Sequence, residues 1–143
     1  MKKHLLAYIS CLVLWLIAFS HSYAMEFIEF RAGEHRVLAE VALTPTQRSQ
    51  GLMWRTQIPE DMGMLFVLEP QSRQCFWMRN TYIPLTIAFM DQEFTIMQLN
   101  DMRPLSDDLH CAEQPAHFAL EVNQGWFAER GILVGDRLTP SLK

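Results

Sequence analysis

An aromatic residue followed by a run of polar residues lies near the middle of the chain, and this run is best suited to bind a ligand. Trp77 comes shortly before Arg79, Asn80 and Thr81. An indole ring beside a guanidinium, an amide and a hydroxyl provides the apolar platform and the few placed polar groups of a carbohydrate or peptide groove. The alternative is that Trp77 belongs to the core and that Asn80 and Thr81 form a turn that hydrogen-bonds its own backbone.

Glu121 is the second candidate, because it is the one charged residue within the apolar run Phe118–Val122. A carboxylate in such a run needs a partner, since burying it alone costs considerable free energy. Arg48, Arg55 and Arg79 are the candidate partners. Glu121 would then either orient a ligand or transfer protons, or else form a structural ion pair or face water on one side of a strand.

A hydrolase would need a second carboxylate close to Glu121, and Asp101 and Asp136 are the candidates. Two-carboxylate hydrolysis of a polymer places the pair within about 5–10 Å. The sequence contains no Gly-x-Ser-x-Gly motif and no phosphate-binding loop. A non-enzymatic binding module is therefore favoured over a hydrolase, and no catalytic residue is assigned.

Eight methionines follow residue 24, and Met62-Gly63-Met64 has the Met-x-Met form. Thioethers suit Cu(I), and Trp54 or Trp77 could cover such a site. Methionine is also a common filler of irregular cores, and most of these positions lie in apolar strand runs. We therefore predict no cofactor and no metal, and Cu(I) binding stays an alternative.

The first 24 residues have the pattern of a cleavable secretory signal peptide. Lys2 and Lys3 precede the almost wholly apolar stretch Leu5–Phe19, and Ser22-Tyr23-Ala24 is a small-x-small cleavage site. The apolar stretch is shorter than the about 20 residues that span a membrane. We predict cleavage after Ala24, a periplasmic or secreted product, and one domain over residues 25–143. An uncleaved N-terminal anchor is the alternative.

Cleavage would leave 119 residues with a formal charge of −6 and no long run of Lys or Arg. This length suits one domain with a substantial core. The acidic balance argues against nucleic acid and against anionic membrane surfaces as partners. No membrane association is expected once the signal peptide is removed.

Two cysteines, Cys75 and Cys111, follow the predicted cleavage site, and no Cys-x-x-Cys motif occurs. In an oxidising compartment two cysteines form a disulfide more often than a catalytic pair. We therefore predict a Cys75–Cys111 disulfide. Unlinked thiols or a redox-sensing pair are the alternatives.

The apolar pattern predicts many short strands and few helices. A short helix should run from Pro45 to about Leu52, with Thr44 as its cap and Gln47 completing a capping box. A second short helix, capped by Asn123, should run through residues 126–130. The stretch from residue 104 to residue 115 is predicted to be an exposed loop. Strands at this spacing favour a mainly β, antiparallel sandwich or barrel-like domain with one or two short helices. The predicted strands cover residues 25–30, 36–43, 63–68, 75–78, 85–90, 94–99, 118–122 and 137–139.

Two motifs carry a resemblance to a known family. Gly63-Met64-Leu65-Phe66, and Phe76-Trp77-Met78-Arg79-Asn80-Thr81 followed by Pro84-Leu85, resemble the uncharacterised family called domain of unknown function 192. The similarity extends over about residues 37–138. It implies a compact, mainly β fold of sandwich type with a short helix, and it supplies no activity. The family often has Asp directly after Pro-Leu, where this chain has Thr86.

Overall fold

The computed structural model describes residues 25–69 and 74–141, so the predicted signal peptide lies outside the described residues. Two short helices accompany nine strands in this part of the chain. Among the described residues, no helix has the length and hydropathy needed to cross a membrane. The helices are α1 (Pro45–Gln50) and α2 (Trp126–Glu129), and the strands are β1 (Phe27–Ala32), β2 (His35–Ala42), β3 (Met62–Val67), β4 (Cys75–Phe76), β5 (Leu85–Met90), β6 (Ile96–Met102), β7 (His110–Cys111), β8 (Phe118–Asn123) and β9 (Thr139–Ser141).

Seven of the strands form one curled sheet in the order β6-β5-β8-β3-β2-β1-β9, and β4 pairs with β7 in a small second sheet. The predicted mainly β fold with two short helices is confirmed. One pairing differs from the antiparallel expectation, because β2 and β3 run parallel. A parallel pair needs a long crossover, and α1 with the segment up to residue 61 provides it.

The sheet buries apolar side chains on both faces, because successive residues of a strand point to opposite sides. Leu65 and Leu120 pack on one face together with Trp126 and Phe127, the buried residues of α2. Phe66, Ala119, Ile87 and Leu52 belong to the core on the other face, which also carries α1 and the small sheet. Glu121 lies two residues after Ala119 and therefore faces this second core.

The first helix begins as predicted. The Thr44 hydroxyl accepts a hydrogen bond from the Gln47 amide at 3.2 Å, and the Gln47 side chain accepts one from the Thr44 amide at 2.9 Å. The second helix is capped by Gly125 rather than by Asn123, so that prediction was wrong. Asn123 still belongs to β8, and its side-chain amide donates to the Pro59 carbonyl oxygen at 3.1 Å.

The stretch from residue 104 to residue 115 is only partly the exposed loop that its polar composition predicts. It contains β7, which pairs with β4 and places Cys111 directly opposite Cys75. The two sulfurs are 2.13 Å apart and the Cα atoms 3.9 Å apart. The predicted Cys75–Cys111 disulfide is confirmed, and it ties the small sheet together across 36 residues of chain.

Candidate functional site

A cleft of about 290 Å³ opens on the face of the sheet that carries α1. Its walls come from the end of α1 and the turn after it, from β3, and from β4 with the residues that follow. Leu52, Phe66, Leu68 and Phe76 supply the apolar part of these walls, and polar side chains of α1, of β8 and of the segments around β4 supply a comparable part. A concave surface that combines apolar side chains with placed polar groups is the usual form of a ligand site.

Glu121 is the one acidic side chain that lines this cleft among the described residues. It is only 5% exposed, and its neighbours on the adjacent strands are Met64 and Ile87. No described group forms a hydrogen bond or an ion pair with its carboxyl group. Burial alone raises the pKa of Glu121 from 4.5 to about 8, so the carboxyl is mainly protonated at neutral pH.

The arginines that the sequence offered as partners of Glu121 are bound elsewhere. Arg55 donates two hydrogen bonds to Glu40, at 2.5 and 2.6 Å. Arg79 forms an ion pair with Asp107 at 2.8 Å. The remaining candidate, Arg48, donates to the carbonyl oxygen of residue 43 at 2.5 Å and lies 3.6 Å from a carboxylate oxygen of residue 69. Glu121 is thus left facing the cleft without an intramolecular partner in the described structure.

Three of the five predicted ligand-binding residues, Trp77, Thr81 and Glu121, line the cleft. Arg79 lies outside it, with its guanidinium carbon 4.1 Å from the centroid of the Trp77 ring. Asn80 has a positive φ of 58° and its carbonyl oxygen accepts a hydrogen bond from the Trp54 amide at 2.8 Å. Asn80 therefore shapes the turn, while Arg79 supports the indole that borders the cleft.

Two glycines allow the chain to build the cleft. Gly51 ends α1 with a φ of 50°, and a Cβ there would lie 3.3 Å from the Phe66 ring. Gly63 lies on β3 opposite Val122, and a Cβ at this position would overlap the carbonyl oxygen of Glu121. Because Gly63 has no side chain, β3 can approach the backbone of β8 closely at Glu121.

The structure brings neither candidate second carboxylate to Glu121. Glu121 is opposite Ile87 on β5, whereas Asp101 is opposite Thr86, the preceding residue of the same strand. Adjacent residues of a strand point to opposite faces, so Asp101 and Glu121 lie on opposite sides of the sheet. Asp136 accepts a hydrogen bond from the Leu133 amide at 2.7 Å, in the turn after α2. The two-carboxylate arrangement of a hydrolase is not formed with either residue.

Thr86 shows how this chain fills the position where the family often has Asp. The Thr86 hydroxyl donates a hydrogen bond to Asp101 at 2.6 Å and accepts one from the Gly125 amide at 3.2 Å. Asp101 therefore supplies a carboxylate beside this position from the neighbouring strand. The hydrogen bonds of Thr86 to Asp101 and Gly125 help to join β5, β6 and the start of α2, away from the cleft.

Four of the methionines are buried in the two cores. Met64, Met78 and Met102 are buried in the core on the cleft side, and Met90 is buried in the other core. Packing of this kind matches the role of methionine as a flexible apolar filler. Within residues 25–69 and 74–141, no group of three or more His, Cys, Asp or Glu residues is placed to hold a metal ion.

The sequence patterns missed most of the cleft wall. Leu52, Phe66 and Leu68 come from segments that meet only in the folded chain, and nothing in their local pattern indicates a cavity. Glu40 was also missed, although a signal was present. It stands between Ala39 and Val41 as a lone charge in an apolar strand, the same pattern that drew attention to Glu121.

Two solved structures resemble this chain. One is a protein from Sinorhizobium meliloti 1021, provisionally described as a transcription regulator, with 34% identity and a TM-score of 0.73 over 83% of this chain and 95% of that one. The other is a protein of unknown function from Novosphingobium aromaticivorans DSM 12444, with 30% identity and a TM-score of 0.72 over 83% of this chain and 89% of that one. No curated protein matches this chain.

A family model matches residues 27–140, which is nearly all of the described chain. The match agrees with the resemblance carried by the Gly63-Met64-Leu65-Phe66 motif and by the aromatic motif that begins at Phe76. The chain therefore belongs to the DUF192 family, whose description is "Uncharacterized ACR".

Proposed function

We propose that this protein is exported and acts as a non-enzymatic binding domain whose cleft holds one unit of a carbohydrate or peptide ligand. The observation that carries this proposal is Glu121, whose carboxyl group lines a cleft with aromatic walls and has no partner in the described structure, although the residue is only 5% exposed. Its oxygens are not fully enclosed, because His117 Nδ1 is the one fully buried side-chain polar atom without a hydrogen-bond partner among the described residues. A ligand group in the cleft can therefore reach the carboxyl and pair with it.

Binding is favoured over catalysis by the composition of the cleft. Its lining in the described structure holds one carboxyl group, no histidine, and a cysteine that is tied in the disulfide. Nucleophilic catalysis needs a nucleophile with an adjacent base, and acid–base hydrolysis needs a second carboxyl group. The hydroxyl of Thr81 is directed to the Arg79 carbonyl oxygen at 3.4 Å rather than to Glu121.

Ligand titrations followed by NMR test the cleft. Small saccharides and short peptides are added to the mature protein, and we expect resonance changes around Trp77 and Glu121. Trp77→Ala should weaken binding by roughly tenfold, because it removes the aromatic border. Trp54→Ala is the matched control, since Trp54 is also exposed but does not line the cleft. Equal losses in the two variants, or no binding by any probe, would contradict the proposal.

Export is tested separately by N-terminal sequencing. The signal pattern that ends at Ala24 supports cleavage there, and the Cys75–Cys111 disulfide is consistent with an oxidising compartment. Protein recovered from the periplasm or the medium should begin at Met25. A chain that begins at Met1 and stays in the membrane fraction would show that the segment is an anchor.

Transcription regulation, the provisional description of the Sinorhizobium relative, is not part of this proposal. The cleaved chain would carry a formal charge of −6. Proteins that bind nucleic acid present basic patches to the phosphate backbone, and an acidic balance opposes that contact.

A further inference from the structure

We propose that the cleft selects the cationic side chain of a peptide, a lysine or an arginine, whose charged end pairs with the Glu121 carboxylate. This inference rests on the proposed function, because it requires that the cleft bind a ligand at all. It adds the chemical class of the ligand. It also favours a peptide over a carbohydrate as the natural ligand.

The arrangement of apolar and polar groups in the cleft supports this choice. Leu52, Phe66 and Phe76 form apolar walls, and Glu121 is the one acidic group that the described lining contains. Lysine and arginine side chains have an apolar stem and a charged end, so the stem can lie along apolar walls while the end reaches a carboxylate. A neutral sugar offers no cation to the one acidic group of the described lining, whereas a lysine or arginine side chain can form a charge-assisted hydrogen bond with it.

No described cation pairs with Glu121, so the carboxylate can pair with one cation supplied by a ligand. On the strands beside it, β3 contributes Met64 and Phe66 and β5 contributes Ile87, and Phe76 comes from the β4 side. The described lining of the cleft includes one charged group besides Glu121, the guanidinium of Arg48. Arg48 is held by the carbonyl oxygen of residue 43 and lies near the carboxylate of residue 69. The negative charge of the mature chain would also attract a cationic peptide.

Proton release is the signature of this binding mode. The Glu121 carboxyl is mainly protonated at neutral pH in the free protein, because its pKa is raised to about 8. A ligand ammonium or guanidinium group pairs with the ionised form, so the carboxyl proton must pass to solvent when the cation binds. Affinity therefore rises with pH below the pKa of Glu121 and levels off above it. A neutral ligand that accepts a hydrogen bond from the protonated carboxyl would show the opposite trend.

Two small probes that differ in one charged group test the inference. They are Nα-acetyl-lysine methylamide and Nα-acetyl-norleucine methylamide, which has a similar apolar stem without the amine. NMR titrations at about pH 6.5 and about pH 8.5 should show the lysine probe binding roughly 20-fold more tightly at the higher pH, as a group with a pKa near 8 becomes ionised. The norleucine probe should bind weakly and without this increase. Calorimetry in two buffers of different ionisation enthalpy should detect about one proton released per bound lysine probe at the lower pH.

Glu121→Gln keeps the shape of the side chain and removes its charge. This variant should lose the preference for lysine over norleucine together with the pH dependence. Glu34→Gln is the matched control, because Glu34 is exposed in the turn between β1 and β2 and does not line the cleft. It makes the same change of charge and should leave both properties unchanged.

The possible results separate this inference from the proposed function. Binding of norleucine as strong as that of lysine at both pH values would overturn the inference and leave a binding cleft. Cleft binding of methyl glucoside, with no lysine binding, would also overturn it and would identify a carbohydrate site. If no probe of either class changes the resonances of the cleft, both the inference and the proposed function fail.

Discussion

Two buried glutamates on the same side of the sheet have opposite surroundings. Glu40 on β2 is 7% exposed and Glu121 on β8 is 5% exposed. Both are opposite Met64 of β3, which lies between them in the sheet. Glu40 accepts two hydrogen bonds from Arg55, whereas Glu121 has no partner in the described structure. Similar burial therefore accompanies two different environments, a carboxyl group held by a guanidinium and a carboxyl group without a partner in the described structure.

The crossover between β2 and β3 explains the difference. Arg55 lies in this crossover, close enough to reach the carboxylate of Glu40, and the hydrogen bond raises the pKa of Arg55 above its ordinary value. Both β2 and β8 lie inside the sheet, but the crossover brings no arginine to Glu121, and its carboxyl meets the cleft. Glu40 with Arg55 joins β2 to the crossover, and Glu121 is available to a ligand.

The largest expected effect concerns the Cys75–Cys111 disulfide in the wall of the cleft. Replacing Cys75→Ser and Cys111→Ser together should lower the free energy of unfolding by roughly 4 kcal/mol, because the closed loop of 36 residues restricts the unfolded chain. Guanidinium denaturation of the wild type and the double variant measures the change. The double substitution should also loosen the β4 wall of the cleft and leave the Glu40–Arg55 pair intact.

Thiol titration provides the control for this experiment. Unfolded, unreduced protein that begins at Met25 should contain no free thiol. Two free thiols per chain of this protein would show that Cys75 and Cys111 are not bonded in the protein as it is made, and the predicted loss of stability should then be absent.

The next effect is the pH dependence of stability that comes from Glu121. Because its pKa is raised to about 8 in the folded state from an ordinary value of 4.5, the folded protein keeps a proton that the unfolded chain loses. The stabilisation is complete below about pH 4.5 and is lost as the pH rises through about 8. Between about pH 5 and about pH 8 we expect the free energy of unfolding to fall by on the order of 3 kcal/mol.

Glu121→Gln tests this slope, because glutamine has no proton to release. Denaturation curves across the same pH range should be much flatter for the variant than for the wild type. Equal slopes would show that the carboxyl is well solvated and would remove the difference between Glu121 and Glu40.

The smallest expected effect is the loss of the partner of Glu40. Arg55→Met keeps an apolar stem but leaves the carboxylate unpaired, and breaking a buried pair of this kind usually costs 3–5 kcal/mol. The Arg55 side chain is 35% exposed, so water can replace part of the interaction, and we expect about 2 kcal/mol. Thermal and chemical denaturation near pH 6 measure the loss. Glu121→Gln should instead raise the free energy of unfolding at that pH, by on the order of 2 kcal/mol, because the unfolded wild type has already lost the Glu121 proton there. An equal loss of stability in the two variants would contradict the comparison.

Local patterns were sufficient to predict much of the fold. The capping box at Thr44 and Gln47, the alternating strands and the Cys75–Cys111 disulfide are all present in the structure. These features depend on residues near one another in the chain or, for the disulfide, on having two cysteines to join. The cap of α2 failed because Asn123 is still paired in the sheet, and Gly125 with a φ of 87° makes the turn.

The candidate site was predicted only in part. Trp77, Thr81 and Glu121 line one cleft, while Arg79 and Asn80 belong to the turn beside it. Sequence reasoning recognises a polar residue in an apolar run, but it cannot assign partners among several arginines. That assignment depends on how the crossover folds back over β2.

The sequence by itself determined the mainly β fold, the family, the first helix and the disulfide, because propensity, capping and composition act over short stretches or over the whole chain. Only the tertiary structure decided which glutamate is paired and which faces a cleft. Arg55 and Glu40 are 15 residues apart and meet through the crossover, and Glu121 faces walls from three separate segments. A hydrogen bond or a cavity depends on distances of a few ångströms, and these exist only once distant parts of the chain have packed together.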